Sequence, residues 1–186
     1  MIEAKVDSIR VSLVTQQRVV ILKDLTMERY LPIWIGPCEA DAIAFAIQEV
    51  PISRPLTHDL LRTVIEELGA QVTHVLINDL RDDTYFARLV LDVHGRHAEI
   101  DCRSSDAIAL AVRVHTRIYV DEGVMERAGV TLEGEPVAGG SEATGTHAED
   151  AGPRPDDERL SIFRDFINSL DIDDLDRPRP EDREQR

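Results

Sequence analysis

The sequence predicts an α/β fold of the α+β type, in which an internally duplicated hairpin–strand–helix unit builds a mixed sheet with helices packed on it. Three observations carry this. Short stretches such as Ile9, Val11 and Leu13 alternate apolar and polar residues, the period of a half-buried strand. Longer stretches such as Ala42, Ile43, Ala46 and Ile47 repeat at three and four, the period of a helix face. The string Asp41-Ala42-Ile43-Ala44-Phe45-Ala46 then recurs, with one change, 65 positions later as Asp106-Ala107-Ile108-Ala109-Leu110-Ala111. The same offset lays Ile35 on Ile100, and the hairpin at 11–22 on that at 76–87.

The elements follow in order. Strands are expected over 4–14, 19–22 and 30–35, and Gly36-Pro37 ends the third. A helix from about Glu39 to Val50 stops at Pro51. Thr57 reads as the N-cap of a second helix, whose stripe of Leu60, Leu61, Val64, Ile65 and Leu68 is expected to face the core, and Gly69 closes it. Strands near 72–80, 85–93 and 96–101 are joined by Arg-Asp-Asp and by His94-Gly95. Ser104 and Ser105 are expected to cap a helix from Asp106 to about His115; Ile118–Val120 is a short strand and Glu122–Ala128 a last helical turn. Trp34 is expected in the core.

The plan is a domain over 1–130, a flexible acidic linker over 131–155, a C-terminal amphipathic helix over 156–172 carrying Leu160, Phe163, Ile167 and Leu170, and a disordered tail over 173–186. That helix, marginal alone in water, needs something to dock on, such as a protein partner. Of the net charge of −15, −9 falls on residues 131–186 and −6 on residues 1–130. With only two lysines, Lys5 and Lys23, the chain lacks the basic face of a non-specific nucleic-acid binder, so contact with a polyanion needs a local arginine patch or a bound cation. No apolar run reaches the length of a membrane span, and no signal peptide is evident. Cys38 and Cys102 read as reduced, buried or half-buried thiols in a cytoplasm.

Three motifs in sequence carry a resemblance. Leu31-Pro32-Ile33-Trp34-Ile35-Gly36 with Glu39-Ala40, then Arg54-Pro55-Leu56-Thr57-His58-Asp59-Leu60-Leu61, then Ile100-Asp101 through Ser105-Asp106-Ala107-Ile108-Ala109-Leu110-Ala111, together resemble the bifunctional nuclease domain family over roughly residues 1–130. The resemblance implies cleavage of RNA and DNA with little sequence preference, and a homo-oligomer. It implies no particular catalytic residues. Ser104 and Asp83 stand where members often carry proline and glycine, and neither touches a reactive group.

Phosphodiester cleavage needs an activated nucleophile and a stabilised anionic transition state, supplied by metal ions on carboxylates or by acid–base side chains. His58-Asp59, in the first turn of a helix where free N–H groups favour phosphate, is the candidate catalytic pair. Glu39, Asp41, Asp101 and Asp106, at strand ends and helix starts, are candidate ligands for Mg²⁺ or Mn²⁺, and the repeat allows Asp41 and Asp106 to approach one another. Arg54, Arg103 and Ser105 are candidate phosphate contacts. Each also suits a structural role: acids start helices, arginines make salt bridges, and His58 caps. His94 and His97 read as a solvated hairpin.

Overall fold

The computed structural model describes residues 1–12 and 16–131. Apart from residue 131 itself, the expected linker, C-terminal helix and tail lie outside the described residues. The strands are β1 (Ile2–Val11), β2 (Arg18–Asp24), β3 (Arg29–Ile35), β4 (Ala70–Arg81), β5 (Thr84–Val93), β6 (Arg96–Arg103), β7 (Arg117–Val120) and β8 (Val130–Thr131). The helices are α1 (Pro37–Ile47), α2 (Thr57–Glu67), α3 (Ser104–Val114) and α4 (Glu122–Ala128).

All eight strands join one mixed sheet in the order β6-β5-β4-β7-β1-β2-β3-β8. The repeat is visible in this order: β1-β2-β3-α1 is followed by β4-β5-β6-α3, and β7 lies between the two triplets. It runs antiparallel to β1, with Ile2 opposite Val120, and parallel to β4, with Val75 opposite Ile118. The triplets therefore extend outward from one central strand.

The hairpin turns follow from local chemistry. Asp82 and Asp83 link β4 to β5 with φ of 46° and 58°, and His94 and Gly95 link β5 to β6 with φ of 54° and 79°. Two consecutive positive φ values are what a two-residue turn needs to match the strand twist, and aspartate and glycine reach them at low cost.

The sheet curls. Tyr85 on β5 donates its hydroxyl to the Pro32 carbonyl on β3 at 3.0 Å, although those strands are five places apart. A flat sheet would separate them by about 24 Å. Inside the curl lies α3, with Ala107, Ile108, Ala109, Leu110 and Ala111 all buried. Its alanines let α1, α2 and the sheet approach its axis, and Val75, Ile77, Leu31 and Ile33 pack in the same core.

Five expectations are corrected. Leu56, not Thr57, is the N-cap of α2: its N–H donates to Asp59 Oδ2 at 2.8 Å, so the third helical residue does the capping. Ser104 and Ser105 are helical and buried, and Arg103 is the N-cap of α3. Trp34 is 44% exposed because the alternation of β3 turns Leu31 and Ile33 inward and Trp34 out. Most of the expected α2 stripe faces away from the core: Ile65 is buried there as expected, beside His58, while Leu60, Leu61, Val64 and Leu68 are exposed. Cys102 is half-buried as expected, and burial raises its thiol to about 11, but Cys38, expected buried or half-buried, is exposed in the first turn of α1.

Candidate functional site

Three helices begin near one arginine. Glu39 is the third residue of α1, His58 the second of α2 and Asp106 the third of α3, while Arg103 caps α3 from the end of β6. Free N–H groups and helix dipoles make such ends favourable to negative charge. Arg103 holds Asp106 with two donors, Nε to Oδ2 at 2.7 Å and Nη2 to Oδ1 at 3.1 Å, and reaches Glu39 Oε1 from Nη2 at 2.8 Å. His58 Nε2 lies 3.2 Å from Asp106 Oδ1. The guanidinium-bearing side chain is 68% exposed, whereas His58 is almost covered.

This is a histidine oriented by a carboxylate that an arginine holds at both oxygens. A neutral His58 donating from Nε2 to Asp106 presents Nδ1 as its basic nitrogen. Burial pushes the Asp106 carboxyl up, but Arg103 and then His58 outweigh it and hold it below the usual carboxylate value.

Asp59 faces a different group. Its Oδ1 accepts from Arg113 Nε at 2.7 Å, while Oδ2 holds the Leu56 N–H. Burial raises its carboxyl, but the Leu56 N–H and Arg113 prevail and the net direction is down. Arg113 also donates to the Ala109 carbonyl. The pair borders a groove of about 320 Å³ between α1, α2 and the end of α3, with Phe45, Val50, Arg62 and His115 on its walls.

The remaining candidates are spread. Arg54 is exposed in the segment joining α1 to α2, without an ion-pair partner among the described residues. Ser105 is buried in the first turn of α3. Asp41 pairs with Arg18 at 2.9 Å on β2, so the repeated aspartates Asp41 and Asp106 each hold their own arginine and share no partner. Asp101 is exposed on β6 opposite Arg88. Among the described residues no three His, Cys, Asp or Glu side chains gather in a group that could hold a metal ion. Glu39 and Asp106 are both engaged by Arg103, Asp41 by Arg18, and Asp101 stands apart on β6.

Sequence reasoning missed Arg113 and Arg18. The signal for Arg113 was present: one arginine among the apolar residues Ala107–Val114 of a helix expected to pack on a sheet requires a buried counter-charge. Arg18 was read only as part of a turn, and its partner lies 23 residues away in another element.

Among the described residues no helix is long and apolar enough to cross a membrane. Residues 20–133 match the bifunctional nuclease domain. An uncharacterized protein of Mycobacterium tuberculosis (strain H37Rv) is 40% identical over 173 residues, covering 93% of this chain and 97% of its own. Bifunctional nuclease 2 of Oryza sativa subsp. japonica is 33% identical over 106 residues, covering 55% of this chain and 33% of its own. Bifunctional nuclease 1 of Arabidopsis thaliana is 30% identical over 95 residues, covering 50% and 29%. The aligned region is thus about a third of each plant relative, whereas it is nearly the whole mycobacterial one. On the extent of the domain match and the near full-length relative, the chain belongs to the bifunctional nuclease domain family.

Proposed function

We propose that the chain is a hydrolase that cuts phosphodiester bonds in RNA and DNA with little sequence preference, acting in the cytoplasm as a homo-oligomer. Family membership and the names of the plant relatives support the activity. The observation that carries the choice of site is the His58–Asp106–Arg103 constellation at the helix N-termini.

Water is the nucleophile common to both substrates, because DNA has no 2′-hydroxyl. His58 Nδ1 takes a proton from water as its oxygen attacks phosphorus and later releases it to solvent, while the departing sugar oxygen, on the opposite side of phosphorus, takes its proton from bulk water as the P–O bond breaks. Asp106 stabilises the imidazolium formed in between. Arg103 exchanges Glu39 for a phosphate oxygen and offsets the charge that builds there. Arg54 grips a flanking phosphate. Such contacts touch phosphate rather than base edges, which accounts for weak sequence preference. Asp59 keeps α2 in place through Arg113. Mg²⁺ or Mn²⁺ is proposed as a counter-ion that lets an acidic protein meet a polyanion, since among the described residues no three metal-ligating side chains gather in one group.

The test is cleavage of labelled single-stranded RNA and double-stranded DNA with Mg²⁺, with Mn²⁺ and with EDTA, beside folded His58→Ala. Cleavage that persists in EDTA and falls at least 100-fold in the variant supports the reading; cleavage unchanged by His58→Ala refutes the site. A second reading, a non-catalytic oligomeric or regulatory module whose acidic C-terminal segment contacts a protein partner, is favoured by the outward stripe of α2, and absence of cleavage in every lane would select it.

A further inference from the structure

The apolar flank of α2 has a shape of its own. Leu60, Leu61, Val64 and Leu68 are 58%, 39%, 44% and 70% exposed. At 3.6 residues per turn they occupy one flank about 100° wide, beside the buried line of His58 and Ile65. Arg62, which lines the groove, and its partner Glu66 lie on the other flank, so no charged residue interrupts the stripe. From their fractional exposures the four side chains leave on the order of 400 Å² of apolar surface, as large as the biggest patch of a typical monomer.

The spacing is symmetric. Leu60 and Leu68 stand four residues before and after Val64. When two such helices cross antiparallel about a two-fold axis at Val64, Leu60 of one meets Leu68 of the other and Val64 meets Val64. Thr63 and Glu67 border the solvent side. A standard interface buries about 800 Å² per partner, of which roughly 60% is apolar, close to what the stripe supplies.

We infer that α2 is the core of a two-fold interface with a second copy of this chain, centred on Val64. This surface rests on the proposed self-association and not on the cleavage chemistry. A further consequence is that the two His58 side chains lie roughly 20 Å apart, from six residues of helical rise on each side and one interhelical spacing.

Sedimentation of the full chain over a range of concentrations tests it, with wild type, Val64→Arg and, in a Cys38→Ser background, Val64→Cys. The expected results are a wild-type dimer, at least 100-fold weaker association for Val64→Arg with an unchanged circular-dichroism melt, and a covalent dimer of Val64→Cys on mild oxidation. A wild-type monomer at every concentration overturns both self-association and the surface, leaving the stripe to another segment or another protein. An oligomer that Val64→Arg leaves intact overturns the surface alone. Association lost in Val64→Arg without cross-linking of Val64→Cys overturns the two-fold axis at this residue.

Discussion

Asp59 holds Arg113 at 2.7 Å, and the arginine side chain is 4% exposed. One carboxylate thus neutralises a buried cation with one oxygen and fixes the first turn of α2 with the other. Asp59→Ala leaves the guanidinium buried without its counter-charge and the helix without its cap, a loss of about 3 kcal/mol. Asp59→Asn keeps an acceptor for the Leu56 N–H and is expected to cost roughly half as much. Denaturant midpoints of the two variants check the order.

Asp24 is a second buried acid. Its side chain is fully covered and accepts from the Thr26 N–H, the Thr26 hydroxyl, the Met27 N–H and both Nε and Nη2 of Arg29. Asp24→Ala is expected to destabilise by about 3–4 kcal/mol, because Arg29 then stays buried without its main partner and the β2–β3 turn loses its anchor. Thermal unfolding reads this directly.

Asp24, Asp59 and Asp106 share a direction. In each, burial raises the carboxyl but hydrogen bonds and arginine outweigh it, leaving the folded value below the ordinary 3.8. A carboxyl depressed in the folded state contributes stability that is complete above its unfolded value and lost as pH falls toward and through the folded one. The melting temperature is therefore expected to gain nothing from these groups between pH 5 and pH 7, and to fall progressively below about pH 4. Asp24→Ala should flatten that fall.

Tyr85→Phe removes the hydroxyl that spans the curl to Pro32. The expected cost is about 1 kcal/mol, with the fold retained, since only one hydrogen bond to an otherwise packed ring is lost. Hydrogen exchange is expected to rise at the β3 edge and not at β7.

Arg103→Ala is expected to lower kcat/KM for RNA and DNA cleavage about 100-fold, mostly in kcat, because the arginine acts on charge that builds in the transition state. Arg103→Lys restores charge without the two-pronged geometry and is expected to recover only part of it. Single-turnover cleavage separates these effects from binding.

Much of the fold was legible because it is built from local signals. The repeat at Asp41 and Asp106, the Asp82-Asp83 and His94-Gly95 turns and the alternating strands all reappear. Periodicity located α2 but not the side it turns to its neighbours: a stripe such as Leu60–Leu68 has the same pattern whether its partner is a sheet or something else. Trp34 shows the same limit in a strand, where alternation gives two faces without saying which is inner. The candidate site was partly legible. His58, Arg103, Asp106 and Glu39 were each singled out, yet their convergence depends on three helix starts meeting, which spacing along the chain does not encode.

The placement of β7 sets the timing of folding. Ile2 pairs with Val120, so the first strand meets its inner neighbour only after nearly the whole domain has been made. Until then each triplet is a separate meander with one unfilled inner edge. At about 5–20 residues per second, a ribosome leaves β1 waiting on the order of 5–25 s for that partner. Contacts this distant in sequence slow closure and keep strand edges open meanwhile, so nascent chains that have not reached Arg117–Val120 are the stage most exposed to mispairing between copies.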